Sequence, residues 1–94
     1  MDKKTTEFYI RLKDELNNTT QFPAPYLYKF IVPTDVQKIE KIEQKFNNLG
    51  AVIETHPSKN GKYTAVSINV VMPTADAIIE KYQEVATIEG IISL

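Results

Sequence analysis

Asn60-Gly61 stands between two segments of strand-like composition, residues 51–57 and 63–72. Both residue types tolerate positive φ, so the dipeptide predicts a type I′ turn and an antiparallel hairpin. A two-residue loop opposes Lys59 to Lys62, and therefore Thr55 to Val66, Ile53 to Ile68 and Ala51 to Val70. These last three pairs share one face and are largely apolar. The other face opposes His56 to Ala65, Glu54 to Ser67 and Val52 to Asn69. A slip of one residue sets Ile53 against Ser67 or Asn69 and mixes the faces. Turn chemistry and apolar pattern therefore agree on one register.

The rest of the chain supplies elements around this hairpin. Phe8, Leu12 and Leu16, with Tyr9 beside them, predict an amphipathic helix over residues 5–18. Asn17-Asn18-Thr19-Thr20 stop it, because short polar side chains compete for the backbone. Phe22-Pro23-Ala24-Pro25 forbids helix and holds an extended connector. Residues 26–32 are aromatic and β-branched, a strand apolar on both faces and so expected to be central and nearly covered on both. Thr34 with Gln37 three residues later reads as a helix N-cap. Val36, Ile39, Ile42, Phe46 and Leu49 mark the face of that helix, and Gly50 supplies its left-handed end. After Pro73-Thr74, residues Ala75, Ile78, Ile79, Tyr82, Val85 and Ala86 form a third amphipathic stripe. Gly90 ends it, and Ile91-Ile92-Ser93-Leu94 reads as a short last strand.

Val32-Pro33-Thr34 and Met72-Pro73-Thr74 sit 40 residues apart, each joining a strand to a helix. Two β-α-β halves joined by the hairpin make an α+β, ferredoxin-like βαββαβ plait. Its four-stranded antiparallel sheet carries both helices on one face, with strands one and three central. The N-terminal helix is additional. Residues 1–24 form that helix and its Pro-rich connector, and residues 25–94 the ferredoxin-like domain.

Composition then narrows the function. The 94 residues contain no cysteine, which excludes thiol nucleophiles, disulfides and the Cys-x-x-Cys metal carriers of this fold. The net charge of −1 argues against sequence-independent nucleic-acid binding. The only arginine, Arg11, lies outside the plait, so an acylphosphatase-type anion cradle is not expected. No Gly-rich phosphate loop occurs. The polar start and the lack of a long apolar run predict neither a secretory signal nor a membrane span, hence a cytoplasmic chain.

The fold hosts many functions, so function has to come from particular residues. Glu54 and His56 share a strand face but have no evident nucleophile, and catalysis is not expected. Tyr63, with Lys59 and Lys62 at the hairpin, is a sparse version of an RNA-stacking platform, since Ala65, Ser67 and Asn69 follow it. Lys29 on a central strand calls for a partner such as Glu54, an anion or a dimer contact. The exposed Leu27, Ile31 and Val52 call for a cover, which the Phe8, Leu12 and Leu16 stripe can supply in the same chain or in a second one. His56 alone is too little for a metal site.

At Phe22-Pro23-x-x-Tyr26-x-Tyr28-Lys29 and at Ser58-x-x-Gly61-Lys62-Tyr63-Thr64-Ala65-Val66, the chain resembles the YbeD-like family, small bacterial domains of unknown function. The resemblance covers residues 22–94, running through Tyr82 to the final strand. It implies a plait similar to ACT regulatory domains and a cytoplasmic bacterial protein. It implies no established activity and no catalytic residues. ACT domains that bind amino acids typically use a Gly-containing turn after the first strand, whereas Val32-Pro33-Thr34-Asp35 stands here. A helix N-terminus at Thr34 can still attract an anion.

The expected function is a non-catalytic interaction or regulatory module that binds a partner protein or small ligand, with no cofactor and no metal. A small-molecule-sensing ACT-like domain and an RNA-binding plait are the alternatives, and a homodimer is an open state. The candidate contact residues are Lys29, Thr34, Glu54, His56, Lys59, Lys62, Tyr63, Ser67 and Asn69.

Overall fold

The computed structural model describes residues 3–94. Along the chain run α1 (Lys3–Thr19), β1 (Ala24–Pro33), α2 (Val36–Lys45), β2 (Val52–Pro57), β3 (Tyr63–Met72), α3 (Ala75–Val85) and β4 (Ile92–Ser93). The strands form one antiparallel sheet in the order β2-β3-β1-β4. This is the expected plait with an extra N-terminal helix. β1 and β3 are central and pair over ten residues, from Ala24 opposite Met72 to Pro33 opposite Tyr63.

Alternation along the central strands decides which face meets the helices. Tyr28, Phe30 and Val32 from β1 and Val66, Ile68, Val70 and Met72 from β3 are buried, together with Ile42, Phe46, Ile78, Val85 and Ile88. A buried aliphatic or aromatic side chain contributes roughly 1.5–3 kcal/mol. A one-residue slip of β3 would forfeit several of these at once, so the register is held by burial. The predicted pairing is observed: Ile53 faces Ile68, Thr55 faces Val66 and Glu54 faces Ser67.

The turn itself differs from the type I′ expectation. Gly61 takes φ 73, but Asn60 does not have positive φ. The Gly61 N–H donates to the Ser58 carbonyl at 3.0 Å and the Ser58 N–H to the Tyr63 carbonyl at 2.7 Å, closing a four-residue loop. Asn60 acts through its side chain, whose Oδ1 accepts from the Lys62 N–H at 3.0 Å and the Ser58 hydroxyl at 2.9 Å. That side-chain turn serves Asn60 better than a left-handed backbone, and the strands keep the same register.

The two strand-to-helix junctions also diverge. Thr74 caps α3, its Oγ1 accepting from the Ala77 N–H at 3.0 Å. Thr34 does not cap α2. Its hydroxyl is shared with Thr64 at 2.8 Å and its N–H donates to the Lys62 carbonyl at 2.9 Å, so it extends the β1–β3 ladder. Asp35 is the cap, its Oδ1 accepting from the Gln37 N–H at 2.8 Å.

Helix α2 stops at Lys45, short of the expected Leu49. The Phe46 and Asn47 N–H groups reach the carbonyls three residues back, Glu43 and Gln44, tightening the last turn as Phe46 enters the core. Gly50 has φ 72 but lies beyond the helix rather than at its end. Val36 is exposed because it opens the helix on the solvent side. On α3 the stripe holds through Val85, but Ala86 is exposed and Ile88, outside the predicted stripe, is buried. Gly90, with φ 81, lets the chain return against Pro33, whose Cγ would lie 2.9 Å from a Cβ there.

Candidate functional site

Helix α1 settles against α3, on the helix side of the molecule. Lys13 Nζ bonds Asp76 Oδ1 at 2.9 Å in the first turn of α3, and this hydrogen bond and negative charge hold the Lys13 ammonium above its usual pKa. Leu16 and Phe22 pack on the core, while Phe8 is exposed. The inward side of α1 is thus Tyr9, Leu12 and Leu16, and of the expected stripe only Phe8 faces out. Of the two covers that the sequence left open, the one within the same chain is not realised, because α1 lies on α3 and not on the outer sheet face. Lys13 and Leu16 anchor α1 to the opposite layer.

Among the described residues no element covers the outer face of the sheet. The nearly complete cover expected for β1 is present on one side only. Pairing arranges the open face in transverse rows. One row holds Val52, Asn69 and Leu27, the next Glu54, Ser67 and Lys29, and the third His56, Ala65, Ile31 and Ile92. Leu94, whose N–H donates to the Lys29 carbonyl at 2.9 Å, extends the second row. Apolar side chains are heavily exposed here: Leu27 44%, Val52 60%, Val71 60%, Ile92 54% and Leu94 72%. The sequence reading found Leu27, Ile31 and Val52 but missed Val71, Ile92 and Leu94. The alternation of β3 carried the signal for Val71; the other two needed the register of β4.

The structure brings Lys29, Glu54, His56, Tyr63, Ser67 and Asn69 together on this face. It places Thr34, Lys59 and Lys62 at the hairpin end, away from the rows. Lys29 and Glu54 lie two strand spacings apart, roughly 9–10 Å between backbones, and do not pair directly. Glu54 instead approaches His56, with Nε2 3.8 Å from Oε2, both side chains being about two-thirds exposed. No hydrogen bond among the described residues links Ser67 to either, so the three do not form a nucleophile-base unit. No three His, Asp or Glu side chains among the described residues gather as metal ligands. No helix among them is long and apolar enough to cross a membrane.

What this arrangement can do is recognise a surface. It combines aliphatic contacts with one cation and one anion at fixed separation on a rigid sheet.

Residues 17–94 match the model of a family described as protein of unknown function (DUF493). Over 81 residues the chain is 28% identical to UPF0250 protein YE3006 of Yersinia enterocolitica, covering 83% of this chain and 93% of that protein. UPF0250 is the family of YbeD, the group resembled at residues 22–94. No solved structure matches.

Proposed function

Because the chain belongs to the DUF493 family, whose description assigns no activity, we propose from its uncovered sheet that it is a non-catalytic regulatory module acting by protein association through that face. We read it as cytoplasmic. The observation that carries the proposal is the exposure of Leu27, Val52, Val71, Ile92 and Leu94 on a face that no described element covers. Exposed apolar side chains grouped on one face of a small domain and interleaved with polar ones mark an interaction site.

A second copy of the chain is the partner that fits best. Rotating a copy about a two-fold axis parallel to the strands and above Ser67 exchanges β1 and β2 across the interface. Within the rows this sets Lys29 of each copy against Glu54 of the other, and Leu27 against Val52. About this axis β1, β2 and β3 meet their counterparts while β4 projects past the partner's β2, and three strands at ~4.8 Å with six to ten residues at ~3.3 Å give a face of roughly 14 by 20–30 Å. Two such faces bury about 600–900 Å² in total, the range of a weak, concentration-dependent interface.

Sedimentation velocity over a concentration series tests this. Wild type is expected to dimerise, Glu54→Lys to stay monomeric, and Lys29→Glu/Glu54→Lys to dimerise again. A wild type that stays monomeric throughout, or a double variant that fails to recover, overturns the proposal.

A further inference from the structure

A second feature lies in the helix layer. A cleft of about 640 Å³ opens between α2 and the segment joining α3 to β4. Lys38, Lys41, Gln44 and Lys45 line it from α2, and Thr87 and Glu89 from the segment. Lysines at i, i+3 and i+7 stand above one another on one helical stripe. Lys38 and Lys45 are half-buried, and Lys38 Nζ lies 3.9 Å from where a Cβ on Gly90 would stand. The ion pairs among the described residues are Lys13–Asp76, Lys81–Glu84 and His56–Glu54. None of the three cleft lysines is paired.

Like charges at this spacing repel, and concave walls concentrate their field. Among the described residues only one carboxylate, Glu89, lines the same cleft. The chain as a whole is slightly acidic, so the positive cleft is a local feature and not part of a basic surface. Its volume lies within the roughly 300–1,000 Å³ range of small-molecule sites. Its cations are all ammonium groups, compact point charges that bind phosphoryl oxygens without a fixed fork geometry.

We infer that this cleft binds a small anion carrying phosphoryl groups. Lys38, Lys41 and Lys45 neutralise it, the Gln44 amide donates a further hydrogen bond, and Glu89 limits how much charge is tolerated. The site is independent of the sheet face, which lies on the other side of the β-layer.

Titrating diphosphate into the full chain at constant ionic strength, followed by amide chemical shifts, tests the inference. The expected result is saturable shifts confined to residues 38–45 and 87–90. Lys41→Gln should weaken binding about tenfold, as loss of a charged hydrogen bond does. Glu89→Gln should tighten it, and Lys4→Gln on α1 should leave it unchanged. Shifts reproduced by added sodium chloride, or an unaffected Lys41→Gln, overturn the site. Citrate binding as tightly as diphosphate overturns the phosphoryl assignment.

Discussion

Tyr28 is the residue on which the core turns. Its ring lies 4.9 Å from Tyr82, 5.1 Å from Phe46 and 5.8 Å from Phe30, centroid to centroid. Its hydroxyl donates to the Ile78 carbonyl at 3.0 Å, and Tyr82 shares a hydrogen bond with Tyr26 at 2.7 Å. Burial, first of all, pushes both the Tyr28 and Tyr82 hydroxyls above their ordinary pKa of 10.0, and the bond to Tyr26 raises Tyr82 further. The sign follows from which state holds the protons. Below 10 both folded and unfolded chains are protonated and the contribution is whole. Above it the unfolded chain releases protons that the folded chain retains, so stability falls as pH rises. Melting temperatures between about pH 8 and about pH 12 should therefore drop steeply in the upper half of that range. Tyr82→Phe should flatten the drop, and an unchanged slope would count against the aromatic cluster as its source. The Tyr82 ring was legible on the apolar stripe of α3 in the sequence. The hydroxyl partners were not, because they lie 50 and 56 residues away.

At the scale of elements, the two Pro-Thr junctions show what a sequence echo conveys. Both strand-to-helix transitions occur where the repeat places them, because proline ends a strand and the polar residue after it offers a cap. The atom that caps differs, since Thr34 is drawn into the ladder by Thr64, a tertiary partner. Asp35→Ala is expected to cost about 0.5–2 kcal/mol. It should also speed hydrogen exchange at the Gln37 amide. Thr34→Ala should leave that amide protected, and the reverse pattern would restore Thr34 as the cap. The hairpin teaches the same lesson. Its register was readable from period-two burial, while the turn type depended on side-chain hydrogen bonds of Asn60 that a dipeptide preference does not encode. The lysine stripe of α2 was readable as a spacing, but only the neighbouring segment turns one wall into a cleft.

At the scale of the whole molecule, the position of α1 decides which face is free. A chain beginning at Phe22 loses the Lys13–Asp76 bond and the packing of Leu12 and Leu16. Those half-buried side chains point to a loss of about 2–4 kcal/mol in denaturant titration. The truncated chain should keep its sheet and its state of association, because α1 lies on the opposite layer from the rows. A change in association on truncation would place α1 at the interface.

Local chemistry was enough for the order of elements, the register of the hairpin, the central place of β1 and β3, and the identity of Ile42, Val66, Ile68 and Ile78 as core. Period, turn residues and apolar alternation act between near neighbours, and those terms are large once a face is buried. The docking of α1 on α3, the cap of α2, the exposure of Ile92 and Leu94, and the convergence of three lysines on one cleft came only with the assembled fold. Each depends on which distant surface wins a competition of a few kcal/mol, and such competitions are decided by shape and by partners far apart in the chain.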